Sequence, residues 1–282
     1  MDAYILNNAP SEKIYNINLL KAKNDFNKLS NKNYISADNL NYYFITPKDN
    51  ETSKKHMMKQ FKLIGIPESN IHIIQAYEFS KYVSHKMNHI LLSMGHLKML
   101  EKSHNNNDKY SCFFEDDIIF NKDFKVILEY ILNNLNPEII RFDNTPVISI
   151  ENQKKNEIYI SDNENIFTYA CLGGYLMSQK SIKKTLDFIK NNEWKWNTFE
   201  HLIKEISTTF YMKKCYDTIP KLCLQNWHLE KTNLQDNTHV KSRSLINAKY
   251  YNRYKEHFFF DDNDLYNNSN KLKQTKYNEK II

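Results

Sequence analysis

Glycine is scarce in this 282-residue chain, with 4 in all, and only Gly173 and Gly174 adjoin. Neither a GxGxxG turn nor a P-loop exists, which excludes the glycine-rich phosphate cradles. The four cysteines, Cys112, Cys171, Cys215 and Cys223, form no CxxC pair. Three of them fall in apolar, strand-like runs, so buried free thiols in a reducing compartment are expected. No apolar run approaches the roughly 18 residues a membrane span needs, and the opening MDAYILNNAPSEK has no basic n-region or long h-region. The reading is a chain without signal peptide or transmembrane segment, placed in the cytoplasm. The net charge of +6 is mild and its lysines are scattered, so an anionic small molecule fits better than specific nucleic acid binding.

Hydrophobic residues at 41% and aromatics at 13% are enough for a real core. Within that apolar material, Tyr110 to Phe120 reads YSCFFEDDIIF and sets three consecutive acids in a buried-looking run. Carboxylates near a core cost several kcal/mol each, in order of magnitude, unless a cation or hydrogen bonds satisfy them. Alternation along an extended chain would send Glu115 and Asp117 to one side and Asp116 to the other. Oxygen-only ligation of that kind suits magnesium, manganese or calcium. The bland alternatives are a solvated strand end or a cap on the next helix.

The chain in order predicts an α/β fold, a Rossmann-type, mostly parallel sheet flanked by helices. Tyr42 to Ile45 reads as a buried strand stopped by Thr46-Pro47. A helix capped by Thr52 or Ser53 carries Met57, Met58, Phe61 and Ile64 and ends at Gly65. Ile71 to Tyr77 is the next strand, closing one βαβ unit with a right-handed crossover. Helices are expected from His85 to Leu100, Asp123 to Leu135, Ser181 to Ile189 and Thr198 to Thr208, with a strand over Glu138 to Asp143. Val147 to Ile160 reads as a hairpin, Phe167 to Met177 as a strand interrupted by the glycine pair, and Lys221 to Trp227 as a last strand. At Gly173 the backbone can approach a ligand closely, or simply turn. In an open parallel sheet, ligands bind outside the carboxyl ends of the strands, which is where Asp117 and Asp143 fall.

These residues in this order resemble glycosyltransferase family 25, the lipooligosaccharide and collagen sugar transferases. The resemblance rests on Phe44-Ile45-Thr46, Gly95-His96, Glu115-Asp116-Asp117, Leu172 to Ser178, and Pro220 to Gln225. It implies a GT-A fold that binds a UDP-sugar with Mn2+ or Mg2+ and delivers galactose or glucose to a glycan or glycoprotein acceptor. Asp117 would bind the metal, Glu115 would support or bridge to it, and His228 would be a further ligand. Thr46, Asp116 and Gly173 would line the nucleotide, with Lys54 or Lys55 near the diphosphate. An inverting transfer also needs a general base, for which Glu200 and Asp143 are the candidates.

The domain expected to carry this chemistry is 40–228, between an N-terminal extension at 1–39 and a polar C-terminal extension at 229–282. Lys48 stands where many family members carry an acid, and Gly95 where they carry serine. Those differences motivate an alternative, a catalytically inactive sugar-binding or scaffold member of the same fold. His96 reads as a packing residue, and Asp262-Asn263-Asp264 as solvated tail.

Overall fold

The computed structural model describes residues 34–76, 85–143, 159–160, 172–192, 198–210, 214–218, 221–225 and 257–259. The strands are β1 (Asn41–Thr46), β2 (Ile71–Gln75), β3 (Tyr110–Phe114), β4 (Ile118–Phe120), β5 (Ile139–Arg141), β6 (Tyr159–Ile160), β7 (Gly174–Ser178), β8 (Cys215–Thr218) and β9 (Cys223–Gln225). The helices are α1 (Glu51–Leu63), α2 (His85–Asn106), α3 (Phe124–Leu135), α4 (Gln179–Lys190) and α5 (Phe199–Phe210). Seven strands form one sheet in the order β2-β1-β3-β7-β5-β8-β6, and β4 pairs with β9 in a separate ribbon. β2, β1, β3, β5 and β8 run in one direction, while β7 and β6 oppose them. The architecture is therefore mixed α/β with a mostly parallel central sheet flanked by helices.

Burial of the sheet on both faces explains its unbroken apolar runs. Tyr42, Phe44, Cys112, Phe114, Ile140 and Leu176 pack toward Met57 and Phe61 of α1 and Phe124, Ile127 and Ile131 of α3. Alternate residues Tyr43, Ile45, Phe113, Ile139, Tyr175 and Met177 pack with Met99 of α2, Ile182 of α4 and Leu202 of α5. Three layers result.

The βαβ unit forms as its pattern predicts, with β1 and β2 parallel in register from Tyr42 opposite Ile71. Its helix starts earlier than expected, since the cap is Asn50, whose Oδ1 accepts the Ser53 amide at 3.1 Å. At the other end Ile66 N donates to Phe61 O and Gly65 N to Lys62 O. That Schellman pattern needs the left-handed backbone of Gly65, at φ 70°. Ser178 caps α4, accepting the Ser181 amide.

Two expectations change. The strand expected to end in the acids stops at Phe114, just before them; the acids turn the chain out of the sheet, and Ile118 to Phe120 form a further strand that starts the ribbon with β9. The glycine-containing strand enters antiparallel between β3 and β5. The hairpin over Val147 to Ile160 falls outside the described residues except for β6.

Segments from both extensions join the domain. Ala37 N, Ser36 Oγ and Tyr34 Oη all donate to the carboxylate of buried Glu129 on α3. Phe258 is buried and forms a bridge with Asn121, and Phe259 N donates to Phe120 O at 3.1 Å. The tail beyond Asp261, including Asp262 to Asp264, lies outside the described residues. Cys112, Cys215 and Cys223 are buried free thiols.

Candidate functional site

The acid turn sits at the carboxyl ends of β1 and β3, above an aromatic floor. Phe114 meets Phe120 edge-on at 5.0 Å and stacks on Phe142 at 5.9 Å, while Phe61 lies 5.2 Å from Phe120. Rings packed at these separations add to their area burial and fix the direction in which the chain leaves the sheet. The triplet's direction is thus set from below.

Glu115 continues the β3–β7 ladder, its amide donating to Gly173 O at 2.9 Å. Its side chain, 21% exposed, accepts from Gln225 Nε2 at 2.5 Å through Oε2 and faces His96 Nε2 at 3.6 Å through Oε1. Asp116 points the other way, to the N-terminus of α1. Its Oδ2 accepts from Thr46 Oγ1 at 2.8 Å and from Asn50 Nδ2 at 3.5 Å. Burial holds the Asp116 carboxyl above the ordinary carboxylate range, while the Thr46 and Asn50 bonds pull it back down. His56 Nε2 donates to Ile118 O at 2.8 Å, tying α1 to the first residue after the triplet.

Asp117 lies close enough to Cys223 for its charge to act on that thiol. Burial pushes the Cys223 thiol up first, the Asp143 carboxylate adds to it, and Lys221 opposes. Asp143 is 3% exposed and pairs with Lys221, also 3% exposed, at 3.3 Å. An ion pair this deep is a structural device, because either partner alone would be an uncompensated buried charge. Phe142 N donates to Gly174 O, so the glycine pair joins the ends of β3 and β5 and holds both acidic positions in one frame.

The remaining sequence candidates take separate places. Gly173 offers no open cradle on its Cα side, since a Cβ there would stand 2.6 Å from Gln225 Cγ. Lys54, in the first turn of α1, is 42% exposed and reaches Glu51 at 3.4 Å. Glu200 lies half-buried in the first turn of α5. Its neighbour Phe199 stacks on His96 at 4.8 Å, tying that helix to the site. His228 lies outside the described residues.

Sequence reasoning missed Asn50, Lys221 and the contacts of Gln225 and His96. Gln225 had a signal in its place at the end of the Pro220 segment; Asn50 and Lys221 had none. Among the described residues no group of three or more His, Cys, Asp and Glu is arranged to hold a metal ion. Nor is any described helix long and apolar enough to cross a membrane.

No known family profile matches the chain, and no curated protein matches it. Among solved structures it is similar to a glycosyltransferase involved in the glycosylation of the major capsid of PBCV-1, at 14% identity and TM-score 0.39, covering 77% of this chain and 89% of that one. It is also similar to residues 1–349 of S. aureus TarS, at 12% identity and TM-score 0.40, covering 83% of this chain and 77% of that one.

Proposed function

We propose that this chain is a metal-dependent glycosyltransferase that moves galactose or glucose from a UDP-sugar to a hydroxyl of a glycan or glycoprotein acceptor, with inversion. The observation that carries the reading is the acid turn outside the carboxyl ends of the parallel strands β1 and β3, the side of an α/β sheet where nucleotides bind. The order of motifs resembling glycosyltransferase family 25 supports the same conclusion.

The donor set fits manganese or magnesium. Such ions are commonly held by one or two carboxylates together with substrate phosphates, without an all-protein cage. Asp117 would bind the ion and Glu115 would support it from its fixed position. When bound, the metal neutralises charge on the departing diphosphate. Asp116, held by Thr46 and Asn50, would meet the ribose. The base role goes to Glu200, because Asp143 is committed to Lys221 inside the protein. Glu200 stands in the first turn of α5, the helix that Phe199 ties to His96.

The experiment is donor hydrolysis: a panel of UDP-sugars with and without manganese, following UDP release by the full chain and by Asp117→Ala. Release from one donor that needs manganese and disappears in a folded Asp117→Ala supports the reading and names the sugar. Calorimetry that detects binding of no UDP-sugar, together with no release, refutes it. Binding without release, with or without manganese and with acceptors supplied, would favour a sugar-binding module.

A further inference from the structure

Glu115 is held from two sides by residues far away in sequence. On one side Gln225, placed by the register of β9 against Ile118, donates to Oε2 at 2.5 Å. The path it takes is open only because position 173 has no side chain. A Cβ there would meet Gln225 Cγ at 2.6 Å and Cδ at 2.8 Å, near the middle of the side chain where it cannot swing aside cheaply. On the other side His96, 2% exposed, brings Nε2 to 3.6 Å from Oε1, beyond hydrogen-bond distance.

The imidazole is fixed in turn. Tyr175 Oη lies 3.0 Å from Nδ1, and the Phe199 ring lies parallel to His96 within 7°. A carboxylate only accepts, so in the neutral ring the nitrogen facing it carries the hydrogen and Nδ1 accepts a hydrogen bond from the Tyr175 hydroxyl. The Tyr175 hydroxyl keeps its proton, because burial, and then the charge of Glu115, push its pKa well up.

We propose that Gln225 and His96 are positioning residues that clamp Glu115, and that Gly173 is bare to admit the Gln225 amide rather than a ligand. The functional part rests on the sugar-transfer reading, in which Glu115 supports the metal. A ligand held by such second contacts loses roughly 10–100-fold in metal affinity or activity when they are removed.

The test compares Gly173→Ala, Gln225→Leu, His96→Phe and Glu115→Gln in the full chain. UDP release is followed against manganese concentration, and the His96 ring nitrogens are followed by 15N NMR in manganese-free protein. The manganese concentration for half-maximal rate should rise about 10–100-fold in Gly173→Ala and in Gln225→Leu. The maximal rate should change far less, and neither substitution should add to the other or to Glu115→Gln. The wild-type NMR signals should show the Nε2–H tautomer, and they should shift in Glu115→Gln and in Gln225→Leu. Losses that multiply, an unchanged manganese response, or His96 signals that ignore both substitutions would overturn the clamp. Should the wild type release UDP from no donor, the sugar-transfer reading fails by itself and the NMR result still decides the clamp. Should Gly173→Ala not fold, Gln225→Leu carries the comparison, since it removes only the polar end.

Discussion

Gly174→Ala tests whether the ribbon is locked onto the main sheet at one point. A Cβ on Gly174 would stand 2.5 Å from Cys223 Sγ and 3.0 Å from Phe114 Cδ1 and Cε1. Comfortable contact between such atoms is roughly 3.5–4.0 Å, so the sulfur must retreat by about 1 Å inside a core that has nowhere to put it. Overpacking of this kind costs about 1–3 kcal/mol, here toward the upper end because β7 is held on both edges by β3 and β5. Removing a glycine from a strand gives back about 0.5–1 kcal/mol. The net loss expected is about 2 kcal/mol, read as a lower midpoint in guanidinium unfolding with unchanged m. In a Cys223→Ala background the sulfur is gone and only the Phe114 contacts remain tight. The same substitution should there cost less than half as much, a coupling within the range seen for touching residues. Equal costs in both backgrounds, or a Gly174→Ala protein as stable as the parent, would refute the reasoning.

Truncation after Asp261 should leave stability and activity near those of the full chain. Truncation after Tyr254 removes buried Phe258 and the bonds Phe259 N to Phe120 O and Gln60 Nε2 to Phe259 O, and should cost about 3 kcal/mol by thermal or chemical unfolding. Gly95→Ala places a Cβ 3.5 Å from Ile45 Cδ1, an ordinary contact in the middle of α2, so a gain of about 0.5–1 kcal/mol is expected and a lower melting temperature would contradict it. His72, stacked on Tyr43 at 4.7 Å, has its pKa lowered, first by burial. Its contribution is therefore complete above the unfolded histidine value of about 6.5 and is lost as pH falls below it. Melting curves at acid and neutral pH should show a smaller difference for His72→Phe than for the parent, and an identical difference would remove His72 from the account.

What was legible in the sequence was local. The spacing of Met57, Phe61 and Ile64 on a helix, the apolar run Tyr42 to Ile45, and Ser178 before α4 each specify structure through near neighbours. The parallel pairing of β1 with β2 follows from one such unit. The antiparallel entry of β7 was not legible, because its apolar run fits a two-faced buried strand of either direction. The end of a strand at the acids was legible from the triplet itself. The ribbon that follows was hidden, because the partner that takes Ile118 to Phe120 comes from Cys223 to Gln225, far away in sequence.

The same limit separates the candidate acids by role. Asp143 and Asp117 look equivalent in sequence, each ending an apolar run, and only the fold gives Asp143 a buried lysine. Burial with a full counter-charge suits an acid that holds structure, because neutralising either partner exposes the other to the low dielectric. Glu115 is different: its carboxylate is 21% exposed and is held by an amide on one oxygen and an imidazole near the other. That arrangement fixes the direction of the carboxylate without burying it in an ion pair. The glycine pair serves both acids, with Gly173 admitting Gln225 and Gly174 O taking the Phe142 amide. A chain with only 4 glycines places two between the structural ion pair and the clamped carboxylate, and close packing around both positions makes a side chain at either one costly.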